Sequence, residues 1–149
     1  MKEIKSPVGI WMDYRGAQII KIDQLDISLC MYVESDIDEE HPVGGSGSST
    51  PYGPQEAISE HRFLNKRHQQ EQKFYQTIMS KIKDRDALYI MGPGQAKLGL
   101  ENAVKADKNF NPVLLEVETS HKLTPNQIKA KVKDYFHLLG CSEPARKLD

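Results

Sequence analysis

The sequence predicts an α/β fold, one domain built on a five-stranded mixed sheet with helices on both faces, and three observations predict it. Apolar and other residues alternate through the first quarter of the chain, the period of antiparallel strands. Two strand-then-helix repeats follow, an order that favours parallel strands joined by right-handed crossovers. The length, 149 residues, suits a single domain that buries about two thirds of its unfolded surface and needs no disulfide or structural metal to do so.

Val8, Ile10, Met12 and Tyr14 alternate with Gly9, Trp11 and Asp13 in a first strand, and Arg15-Gly16 supplies a tight turn into a second, Ala17 to Ile22. A turn at Asp23 to Asp26 leads into a third strand carrying Ile27, Leu29, Met31 and Val33. The three form an antiparallel meander. Residues 35–55, rich in Pro, Gly and Ser, predict a flexible loop of a length that is usually functional or disordered.

From Glu56 to Lys83 no Gly or Pro interrupts the chain, and Phe74, Ile78 and Ile82 recur at helical spacing, so the second half of this helix packs on a core. Its polar stretch Asn65 to Lys73 projects into solvent or meets a partner. Ala87 to Met91 reads as a buried strand, Gly92-Pro93-Gly94 as a turn, Gln95 to Asp107 as a helix with Leu100, Ala103 and Val104 inward, and Val113 to Val117 as another buried strand. Thr124-Pro125-Asn126-Gln127 is a capping box. Ile128, Val132, Phe136 and Leu139 give the last helix its apolar stripe, Gly140 suits its stop, and 140–149 is a short tail. Strands 1–3 are thus antiparallel and strands 1, 4 and 5 parallel, the order of the three-layer ribonuclease H-like architecture. That architecture hosts nucleases, ATPases and non-catalytic ribosomal proteins, so it leaves the chemistry open.

Charge narrows the field further. The formal net charge is −1, yet residues 62–85 hold seven basic and two acidic groups while residues 1–60 hold four and eleven. A near-neutral chain therefore presents a basic segment suited to a phosphate backbone. No apolar run approaches the roughly 20 residues that span a bilayer. Lys2 and Glu3 lead into no apolar signal region, and Cys30 and Cys141 are too few for a disulfide framework, so a reducing cytoplasm and no membrane partner are expected.

The segment Leu88 to Val104, LYIMGPGQAKLGLENAV, resembles the strand-turn-helix of the middle domain of archaeo-eukaryotic peptide-chain release factors and Pelota. The opening VGIWMDYRGAQIIKI resembles that domain's first hairpin. Closer is a group of small bacterial proteins described as translational machinery proteins. It shares a W-x-D hairpin (Trp11, Asp13), a GP-x-x-AK turn (Gly92-Pro93, Ala96-Lys97), V-E-T (Val117-Glu118-Thr119), T-x-x-Q-x-x-A (Thr124, Gln127, Ala130) and a terminal Tyr135-Phe136. The likeness spans about residues 8–137 and implies one release-factor middle-domain-like domain over 1–149, a translation-associated role and ribosome association. Release factors carry a Gly-Gly-Gln loop between the third strand and the long helix. That place holds Gly44-Gly45-Ser46 and Gly53-Pro54-Gln55 here, and Pro54 denies the latter the backbone freedom of two glycines. The resemblance thus implies a retained shape without the hydrolytic tip.

Several residues remain as sites. Gly92, Gly94 and Lys97 place a Gly-rich turn at a helix start, where an RNA or nucleotide phosphate can sit, although a Walker A pattern is lacking. Arg62, Lys66, Arg67, His68 and Lys73 form a basic, polar helical stretch. Gly44, Gly45, Gly53 and Gln55 mark the loop tip. Asp13 is a weak metal candidate, because nuclease chemistry needs several convergent acids and the fourth strand ends in glycine. No cofactor is expected, and catalysis is not favoured. The expected function is non-catalytic binding of the ribosome or structured RNA. The alternatives are a metal-dependent nuclease or nucleotide-binding enzyme of this fold, and a protein-interaction module.

Overall fold

A computed structural model of the chain describes residues 4–37 and 53–139. Its elements are β1 (Pro7–Met12), β2 (Gly16–Asp23), β3 (Asp26–Glu34), α1 (Gly53–Lys81), β4 (Ala87–Gly92), α2 (Ala96–Ala106), β5 (Val113–Thr119) and α3 (Pro125–Leu139). The sheet runs β3-β2-β1-β4-β5. β1 pairs antiparallel with β2, and β2 with β3. The pairs β1/β4 and β4/β5 are parallel. This is the mixed sheet that the element order predicts.

Alternation along the central strands sorts side chains to two helical layers. Val8, Ile10 and Met12, with Leu88 and Ile90, meet Phe74, Ile78 and Ile82 of α1 and Leu100 and Val104 of α2. Trp11, Tyr89 and Met91 meet Ile128, Val132 and Phe136 of α3 on the opposite face. β1 is therefore buried from end to end, a strand sandwiched between layers rather than a half-exposed one. Each such aliphatic or aromatic side chain contributes about 1.5–3 kcal/mol when removed from water.

Several boundaries shift for physical reasons. β1 stops at Met12 because Asp13 turns the chain: its Oδ1 accepts from the Arg15 amide at 2.9 Å and the Gly16 amide at 3.2 Å, an Asx turn. α1 starts at Gly53, since proline is tolerated in a first helical turn, where amides have no intrahelical acceptor. Gly53 and Gln55 accordingly fall in that turn rather than in the loop, while Gly44 and Gly45 lie outside the described residues. β5 was expected to be buried, yet it forms a sheet edge and each of its side chains keeps some exposure.

Most residues of the shared motifs serve the scaffold. Thr124 and Gln127 exchange the two bonds of the capping box, Gln127 N–H to Thr124 Oγ1 at 3.1 Å and Thr124 N–H to Gln127 Oε1 at 2.9 Å. Trp11 Nε1 donates to the His121 carbonyl at 3.2 Å. Tyr135 stacks on Tyr89 at 3.8 Å between ring centroids, and Tyr89 Oη donates to Glu118 at 2.6 Å. That bond, aided by Lys131, holds the Glu118 carboxyl below its ordinary range.

At the amino ends of β1 and β4, Asp86 accepts from the amides of Lys5 and Ser6. Arg85 bonds Asp23 at 3.2 Å and Asp84 at 2.7 Å, and Lys21 reaches Asp84 at 3.1 Å. This network ties the meander to the connection between α1 and β4. Among the described residues no helix is long and apolar enough to cross a membrane.

Candidate functional site

Successive residues of an α-helix are separated by about 100°. Positions 62, 66 and 73 therefore fall within about 40° of one another, and Arg62, Lys66 and Lys73 form one exposed stripe on α1. The stripe lies opposite the core-facing Tyr75, Ile78 and Met79. Lys73 Nζ stands 3.8 Å from Asp36, a pairing between two well-exposed groups that solvent weakens. Arg67 leaves the stripe: it pairs with Glu71 at 3.1 Å, and its guanidinium lies 4.9 Å from the centre of the Tyr14 ring. His68 turns to the other flank. The structure thus brings together three of the five α1 residues singled out in the sequence and sends two elsewhere.

His68 lines a groove of about 360 Å³ between α1 and α2, with Tyr14, Gln72, Gln95, Leu98 and Asn102. Tyr14 follows β1 and Gln95 follows β4, so the groove opens at the carboxyl ends of these parallel strands, where ligands of α/β folds collect. Beneath it the Tyr75 and Tyr14 phenols lie close together. Burial pushes both phenols up, Tyr75 far above the ordinary tyrosine range, so both stay neutral. Gly99 is required here, because a Cβ at that position would collide with the Tyr75 hydroxyl. The Glu71 carboxylate on the same wall is answered by Arg67, and no lysine lines the groove.

Beside it, the Gly92 turn is shaped by close approach. Gly92 has φ +148°, and a Cβ there would strike the Met12 carbonyl, while its own carbonyl accepts from the Ser120 amide at 3.1 Å. Gly94 has φ +66°. Lys97 is 5% exposed and its ammonium donates to the Gly94 carbonyl. It therefore braces the turn from within, unlike the solvated lysine of an ordinary helix start. Asp13 is committed to its Asx turn, and among the described residues no group of three or more His, Cys, Asp or Glu is arranged to hold a metal.

The groove was not read from the sequence. Gln95, Leu98 and Asn102 lie within the segment Leu88 to Val104 but at positions its motifs leave unspecified, Gln72 lies outside it, and the four are gathered from two helices and a turn. The one signal was Gly99, since a glycine inside a helix costs about 1 kcal/mol relative to alanine and marks a close approach.

No protein-family model matches the chain, and no curated protein matches it. Among solved structures, the crystal structure of an archaeal translation termination factor, aRF1, aligns with 90% of this chain and 39% of that one, at 10% identity and a TM-score of 0.48. The chain spans about two fifths of that factor's length.

Proposed function

We propose that this chain is a non-catalytic, translation-associated cytoplasmic protein that binds the ribosome or structured RNA through the exposed face of α1. The observation that carries the reading is the alignment of Arg62, Lys66 and Lys73 on one solvent-facing stripe. Three cations in a row on a rigid helix suit a phosphate backbone, which is spaced, fixed and uniformly charged. The motif set over residues 8–137 supports a place in translation, and the absence of Gly-Gly-Gln supports binding without hydrolysis. The commitment of Asp13 to its turn weighs against the nuclease alternative.

Sedimentation with purified ribosomes at rising salt tests the reading. Binding weakens steeply with salt, and Lys66→Glu with Lys73→Glu lowers affinity at least tenfold and reduces the salt slope by about two. Equal affinity for the reversed-charge protein, or binding insensitive to salt, would refute it.

A further inference from the structure

We propose that the groove between α1 and α2 receives one unpaired nucleobase of an RNA strand whose phosphates lie on the α1 stripe. This rests on the RNA reading above and adds to it the chemistry of a second contact.

The lining selects the ligand class. Gln72, Gln95 and Asn102 each present a donor and an acceptor, the functionality that reads the edge of a base. Leu98, 39% exposed, offers an apolar surface to a flat ring, and the half-buried Tyr14 closes the end under β1. No ammonium opens into the groove, and the Arg67 guanidinium is engaged by Glu71 and Tyr14, so a phosphate finds no free cation there. A neutral, planar group with mixed donors and acceptors fits better. The volume, about 360 Å³, lies at the small end of ligand sites, suited to one ring system and not to a folded partner.

Placement supplies the second argument. Gln72 stands about 100° around α1 from the stripe, with Gln69 and Gln76 between. A strand held by its phosphates along Arg62, Lys66 and Lys73 can turn a base across this glutamine ridge. Phosphate contacts position a strand without reading it, and sequence-specific RNA recognition falls on bases splayed from unpaired segments. The stripe and the groove divide those two tasks.

The test uses the full chain and 5′-labelled single-stranded ribonucleotide heptamers carrying A, C, G or U at the centre, beside the same heptamer with an abasic centre, followed by fluorescence anisotropy. At least one base-bearing heptamer binds tenfold or more tightly than the abasic one. Asn102→Ala and Leu98→Ser, both at exposed positions and neither changing charge, abolish that difference while leaving abasic binding unchanged. Lys66→Glu with Lys73→Glu weakens every heptamer. Circular dichroism checks that each variant keeps its fold. If all heptamers, abasic included, bind equally and with the same salt slope, the groove assignment fails while the RNA reading stands. If none binds, the groove assignment fails, and the ribosome sedimentation above decides the RNA reading separately. Equal binding of a fully paired duplex would also overturn the groove assignment.

Discussion

At the amino ends of β1 and β4 the charged side chains answer one another, whereas at the carboxyl ends the groove is lined by neutral amides whose hydrogen-bonding capacity faces outward. Arg85, Asp84, Asp23 and Lys21 pair with one another there, and Asp86 accepts from two backbone amides. At the far end Asp13 and Lys97 are also drawn inward, each onto backbone, which leaves Gln72, Gln95 and Asn102 open. Both ends derive from the same two parallel strands. The difference teaches that charge on this protein is used mainly to hold connections in place. On α1, by contrast, Arg62, Lys66 and Lys73 share one solvent-facing stripe.

The largest effect is expected at the carboxyl end. Gly92→Ala forces a Cβ into the Met12 carbonyl at a backbone angle that only glycine adopts easily, and should destabilise the protein by about 3 kcal/mol. Urea denaturation reads this directly, and an unchanged midpoint would show that the ends of β1 and β4 do not meet as described. At the amino end, Arg85→Ala strips partners from Asp23 and Asp84, with an expected loss of about 2 kcal/mol at neutral pH. The same pair sets an acid limb. The Arg85 guanidinium holds the Asp84 carboxyl down at about 2, against an ordinary 3.8. A depressed carboxyl adds stability above pH 4 and loses it as pH falls toward 2. Melting temperatures at pH 6 and pH 3 should therefore differ less in Asp84→Asn than in the parent protein, and an equal difference would remove Asp84 from the network. The smallest effect is at the turn beneath that network, where Gln24 and Leu25 occupy left-handed backbone at φ 54° and 68°. Gln24→Asn suits such a turn better and should raise stability by about 0.5 kcal/mol.

Much of the scaffold was legible because its signals are local. The capping box at Thr124 needs only four residues, and the helical spacing of Phe74, Ile78 and Ile82 survives any surroundings. The edge position of β5 was not legible, because Val113 to Val117 is apolar whether or not a further strand lies beside it. Gly53-Pro54 reads equally as a breaker or as a first turn, which displaced the start of α1. The inward turn of Lys97 depends on where the Gly94 carbonyl points, a property of the folded turn. The α1 stripe could be counted from the sequence, since steps of about 100° already set Arg67 and His68 off it; what could not be counted was where Arg67 goes, because Tyr14 is brought beside it from the turn between β1 and β2.

One further property follows from the proportions of α1. Its 29 residues extend about 44 Å, whereas the six of β4 cover only about 20 Å. The helix is therefore about twice as long as the strand that follows it, and Arg62 and Lys66 lie in its amino-terminal half, so a partner that reads them need span only one end of a single rod.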